Sequence, residues 1–166
     1  MAGALIVTAE IAAVDFSWID GLRRTHYPVE RNQVPAHLTM FHALPPSSED
    51  ELRQRLSEII KRSAPPTIVA GLMDLGGGVA FRVVSPDLDR IRNELAHDLH
   101  GLLGAQDSGG WRPHITIQNK VAPKTARALK QALEHSFTPR PLAISGFGLH
   151  RYAGGPWEPV AVYRFR

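Results

Sequence analysis

The chain has 166 residues, 43% of them hydrophobic and 21% charged, which suits one globular domain and excludes a wholly disordered protein. It contains no cysteine, so a disulfide framework, thiolate metal sites and a cysteine nucleophile are excluded. Nineteen Lys and Arg against sixteen Asp and Glu leave +3, a mild excess that fits an ordinary surface as well as a polyanionic ligand.

The first residues carry no basic segment and reach Glu10 too early for a signal peptide, and no run approaches the ~18 apolar residues of a membrane span. The chain therefore reads as cytoplasmic, with no membrane partner. Residues 4–12 read as a strand and 15–25 as a short helix. The helix ends in Arg23-Arg24-Thr25-His26-Tyr27, which offers contacts to RNA or simply complements the helix dipole. Residues 36–43 form a strand that opens with His37-Leu38-Thr39-Met40. A helix from Ser48 to Arg62 follows, with Ser48-x-x-Glu51 as a capping box and Leu52, Leu56, Ile59 and Ile60 on one face. Pro65-Pro66 stops it. Residues 67–75 and 79–84 make a hairpin around Gly76-Gly77-Gly78, which is a turn and not a phosphate loop because no Lys-Ser/Thr follows. A helix over 87–103 presents Leu88, Ile91, Leu95, Leu99 and Leu102, and Ala105 to Gly110 reads as a flexible loop. Residues 113–118 are a strand opening with His114-Ile115-Thr116-Ile117, 124–136 a helix, and 141–151 with 159–165 a second hairpin.

The chain repeats itself. A shift of 77 residues lays His37 and Thr39 on His114 and Thr116, Pro46 on Pro123, Leu52 on Leu129, and Gly71-Leu72 on Gly148-Leu149. From 37 to 78, ten of 42 positions are identical without a gap, where ordinary composition gives roughly three. Past the glycines, with a small insertion, Phe81-Arg82 resembles Tyr163-Arg164. Residues 1–166 thus read as a single α/β (α+β) domain built from half-repeats at about 37–84 and 114–165 around a pseudo-two-fold axis.

On a strand, residues i and i+2 share a face, so His37 projects with Thr39 and His114 with Thr116. The axis would turn the two pairs toward one cleft. Two imidazoles can serve as base and acid on opposite sides of a phosphorus, and two hydroxyls can donate to its non-bridging oxygens. A 2′,3′-cyclic phosphate already holds its own internal oxygen in place, so neither a metal nor a cofactor is required. One His-x-Thr on a strand is commonly a core histidine; two copies inside a larger repeat point to chemistry.

These paired motifs, their spacing and the chain length resemble the 2H phosphoesterase superfamily, in particular the 2′-5′ RNA ligase / RNA 2′,3′-cyclic phosphodiesterase family. The resemblance implies a bilobal fold of two antiparallel sheets flanked by helices around a central cleft. It further implies metal-independent hydrolysis of 2′,3′-cyclic phosphates to 2′-phosphates, on RNA ends or on small cyclic nucleotides. Apart from the resemblance, the chain reads as a monomer. The resemblance makes His37 the proton donor and His114 the acceptor, with Thr39 and Thr116 on the phosphate; spacing alone does not separate the histidines. Arg112 is the nearest match to a basic phosphate-binding residue of that family.

By strand parity Phe41 lies on the face of His37 and could stack a base, and Gln118 on the face of His114 could bond ribose or base. Both positions equally suit core or strand-end residues. Arg82 and Arg164 match each other across the repeat but read as edge-strand residues. His42 points away from His37 by parity. His97 and His100 have helical ligand spacing without an acidic or cysteine partner, and His135 and His150 read as ordinary surface or strand residues. The same groups would run the reverse reaction, joining a cyclic phosphate to a 5′-hydroxyl. A cyclic phosphodiesterase of a non-RNA nucleotide metabolite and a non-catalytic RNA-binding module are the other readings.

Overall fold

A computed structural model describes residues 3–166. Its strands are β1 (Ala4–Ile11), β2 (Leu38–Leu44), β3 (Ile68–Asp74), β4 (Val79–Val84), β5 (His114–Gln118), β6 (Arg140–Pro141), β7 (Ile144–Tyr152) and β8 (Glu158–Arg164). Its helices are α1 (Ala13–His26), α2 (Glu49–Ile59), α3 (Pro86–Asp98), the short α4 (Ala105–Ser108) and α5 (Pro123–Ser136). The fold is mixed α/β: two four-stranded antiparallel sheets, ordered β2-β1-β7-β8 and β5-β4-β3-β6, with helices packed on them.

The two sheets do not coincide with the two halves of the sequence. The strand β2 shares a sheet with the β7–β8 hairpin of the other half, with β1 between them, and β5 pairs with β4 of the β3–β4 hairpin. The helix α1 leaves β1 in the first sheet and packs on β5 in the second. The repeat itself also breaks after β3 and β7. The strand after β3 inserts between β3 and β5, whereas β1 already occupies the corresponding inner slot beside β7. The strand β8 is therefore forced to the outer edge. Arg82 consequently lies opposite His114 in the sheet, while its sequence match Arg164 lies on an edge strand opposite Gly146.

Both motif strands carry a bulge at the same place. Thr8 pairs with Thr39 but Val7 with Phe41, so Met40 is the extra residue; Ala80 pairs with Thr116 but Val79 with Gln118, so Ile117 is. A bulge reverses the in–out alternation beyond it. Phe41 therefore joins the core face and is fully buried, with the Arg92 guanidinium 4.2 Å from its ring centre. Gln118 likewise turns inward and is 3% exposed. Strand parity placed both residues beside the histidines; the bulges remove them.

Three local expectations change. Ser48 does not cap α2: its hydroxyl donates to the Pro45 carbonyl at 2.7 Å, and a turn over 46–48 leads into the helix. The helix α3 stops at Asp98, leaving Leu102 exposed. The segment 105–110 is not a free loop. Asp107 is 1% exposed, and its carboxylate accepts from the backbone N–H of His42 and Ala43 at 2.8 and 3.0 Å. Those amides lie on the edge strand β2, where no neighbouring strand can satisfy them.

Candidate active site

The two motif strands are edge strands of different sheets, and they touch each other. Each motif threonine is held there through its backbone. The Trp111 indole N–H donates to the Thr39 carbonyl at 2.9 Å, and Arg23 Nη1 donates to the Thr116 carbonyl at 2.9 Å. The Thr39 and Thr116 hydroxyls stand on half-buried side chains next to their histidines.

The two histidines are tethered in the same way. The Nδ1 of His37 lies 2.8 Å from the Pro35 carbonyl, and that of His114 lies 2.8 Å from the Arg112 carbonyl. A carbonyl only accepts, so each Nδ1 carries the proton and each neutral ring presents a bare Nε2. Arg112 contributes this carbonyl, while its side chain is exposed. Of the other cations, Arg82 lies beside His114 in the sheet.

Burial pushes the His37 imidazole down to about 4; the Pro35 carbonyl opposes this, and the charges of Arg23, His150 and His114 add to the depression. Arg23 is 4% exposed and is held by Asn32 Oδ1 at 2.8 Å and stacked on Tyr27. Burial lowers its own pKa as well. The basic segment at the end of α1 thus yields one buried cation between the motif strands rather than an RNA-contacting patch at Arg23.

Next to His37 is a small pocket of about 200 Å³, lined among others by Thr8, Glu10, Phe16, His150 and Trp157. The Trp157 ring centre lies 4.6 Å from that of His37 and 5.5 Å from that of His150. Thr8 Oγ1 donates to Glu10 Oε2 at 3.1 Å and lies 2.9 Å from His150 Nε2. A threonine has one proton, so with it given to Glu10 the oxygen accepts from His150, which fixes the proton on Nε2. This chain runs over Gly148, where a Cβ would lie 2.7 Å from His150 Nε2, 2.8 Å from Thr8 Oγ1 and 3.0 Å from Glu10 Oε2. Burial lowers the His150 pKa, with Glu10 opposing.

Sequence reasoning passed over Glu10, Thr8, His150 and Trp157. The only signal available was parity: His150 lies two residues from Gly148, the repeat partner of Gly71. A larger surface hollow of about 880 Å³, between Pro65–Ile68 and Arg140–Ile144, contains none of the motif residues. Among the described residues no group of three His, Asp or Glu side chains is placed to hold a metal ion. No helix among them is long and apolar enough to cross a membrane.

The family model of the 2′-5′ RNA ligase superfamily matches residues 10–156. Among solved structures, the TT0787 protein of Thermus thermophilus superposes with a TM-score of 0.65 at 17% identity, over 98% of each chain. Escherichia coli LigT complexed with NADP+ superposes with a TM-score of 0.58 at 18% identity, over 99% of each chain. The same protein complexed with 3′-AMP gives 0.57 at 17% identity, again over 99% of each. Comparison with curated proteins returns no match. At these identities the superpositions speak for the fold, and the family model for the lineage. The chain belongs to the 2′-5′ RNA ligase superfamily, whose members are phosphoesterases and RNA ligases acting on phosphodiester bonds.

Proposed function

We propose that the chain opens 2′,3′-cyclic phosphates on RNA ends or nucleotides by metal-independent hydrolysis, leaving a 2′-phosphate and a free 3′-hydroxyl. The observation that carries this is the matched tethering of His37 and His114, each by Nδ1–H to a carbonyl two residues back. It leaves two Nε2 atoms, one just before β2 and one on β5, as the proton-transfer groups. Water attacks phosphorus and gives its proton to His114 Nε2. The P–O3′ bond breaks, and O3′ takes the Nε2 proton of His37. The Thr39 and Thr116 hydroxyls donate to the non-bridging oxygens. Which histidine takes which role follows the family resemblance.

His37 is neutral in the free protein above its lowered pKa of about 4, so its proton arrives with the anion. A phosphate next to Nε2 offsets the burial that depresses it, and substrate binding draws in a proton. Incubation with 2′,3′-cyclic AMP in the presence of EDTA, followed by phosphorus NMR, tests the reading. Conversion to 2′-AMP is expected. Intact substrate, or activity abolished by the chelator and restored by one metal, overturns it.

A further inference from the structure

The pocket beside His37 contains a feature that phosphate chemistry does not explain. A cleft that takes an anion gains nothing from a carboxylate, yet Glu10 lines this pocket together with His37. Ala9 pairs with Leu38, so Glu10 comes next along β1 at the level where His37 precedes β2. On the other side of the junction, the residue opposite His114 is Arg82. Glu10 is thus the acidic side chain in the lining of this pocket, while the charge of Arg23 acts on the His37 ring.

Accepting the hydrolytic reading above, we infer that this pocket seats the nucleobase of the cyclic nucleotide and that Glu10 makes it prefer guanine. The size fits one ring system: about 200 Å³ lies below the ~300 Å³ at which whole drug-sized ligands begin to be enclosed. Trp157 lines the pocket and supplies an aromatic ring against which a base can pack, its centre 4.6 Å from that of His37. The discrimination comes from donors and acceptors. An ionised carboxylate only accepts, and one Glu10 oxygen is already engaged by Thr8. Guanine presents two adjacent donors, N1–H and the 2-amino group, to which a carboxylate can bond with both oxygens. Adenine and cytosine each set an acceptor nitrogen beside their single amino group, and uracil sets a carbonyl on each side of its one N–H. Those acceptors would face the carboxylate lone pairs. The chain from His150 through Thr8 holds Glu10 in place, and Gly148 leaves room for it.

The experiment is a kcat/KM panel of the 2′,3′-cyclic phosphates of guanosine, inosine, adenosine, cytidine and uridine. Guanosine should exceed adenosine by at least about tenfold, the scale of one lost hydrogen-bonded contact to a charged group. Inosine, lacking the 2-amino group, should fall between them. Glu10→Gln replaces one acceptor by a donor and should invert the order of guanosine and adenosine. Equal rates for guanosine and adenosine in the unsubstituted protein, or an unchanged ratio in Glu10→Gln, overturn the inference. Calorimetric binding of 2′-GMP and 2′-AMP separates the two readings. Tighter 2′-GMP binding with no hydrolysis of any cyclic phosphate upholds the pocket and removes the hydrolytic reading. Hydrolysis with no base preference does the reverse.

Discussion

Arg23 Nη1 donates to the backbone carbonyl of Thr116 at 2.9 Å, so a helix from the first part of the chain fixes the second motif strand. No carboxylate comes within ion-pair distance of Arg23 among the described residues; its acceptors are an amide oxygen and that carbonyl. Arg23→Met keeps the length and apolar stem of the side chain but removes the charge. The His37 pKa should then rise from about 4, because the Arg23 charge is one of the causes of its depression. NMR titration of the His37 ring checks this. A titration point that stays put or falls would show that Arg23 acts only on the strand.

His37→Ala and His114→Ala should each slow opening of a cyclic phosphate by roughly 10²–10⁴, and the double variant by less than the product. A pH profile does not assign the roles, because the two protonation schemes give the same bell. A substrate with sulfur in place of the bridging O3′ does, since a thiolate leaves without a proton. His37→Ala should recover on that substrate and His114→Ala should not. The opposite pattern exchanges donor and acceptor.

The lowered His37 pKa should also make stability depend on pH. That pKa is about 4 in the folded protein against 6.5 for an unperturbed imidazole, so between those values the unfolded chain binds the extra proton. The favourable state is fully populated above about pH 6.5, and stability declines as pH falls toward 4 by at most about 3 kcal/mol. His150 shifts in the same direction. Urea unfolding between pH 7 and 4 should show a steeper decline for the unsubstituted protein than for His37→Gln. Parallel curves would mean that the ring is not desolvated.

Asp107→Ala should cost about 2–3 kcal/mol, the scale of leaving buried amides unpaired, and should lower activity with it. The carboxylate bonds the His42 and Ala43 amides, and Arg92 ties the Asp107 carbonyl and the Met40 carbonyl together at 2.7 and 3.1 Å. Burial alone would raise the Asp107 pKa, but the bonds from His42 and Ala43 outweigh it and hold the pKa low. Thermal unfolding measures the cost. A loss within the ~0.5 kcal/mol of an ordinary surface substitution would return 105–110 to the status of a loop.

What the sequence made readable was whatever repeats locally. The helices α2 and α3 follow from the spacing of apolar residues over a few turns, α5 from the proline before it, and the two His-x-Thr strands from the repeated motif. Phe41 and Gln118 were misplaced because a bulge is a property of two strands in register, and a single strand's alternation does not contain it. Glu10, Thr8, His150 and Trp157 come together only through the order β2-β1-β7, which is decided by long-range pairing. Asp107 looked like loop material because its partners, the His42 and Ala43 amides and the His42 ring, lie 64 and 65 residues away, and such pairing has no sequence signature.

The interleaving of the two halves governs how the chain can reach its fold. Every long strand pairing of the first sheet outside the β7–β8 hairpin involves β1, and β1 meets β7 only after more than a hundred intervening residues are in hand. Such non-local closures cost entropy before any contact repays them, so folding is expected to be slow for a chain of this length. During synthesis β1 and β2 can form a ribbon early, but its β1 edge stays open until β7 arrives. A cut in the connection before the second motif would not release two small enzymes. It would give two fragments, each holding strands whose neighbours lie on the other, able to regain the site only by finding each other.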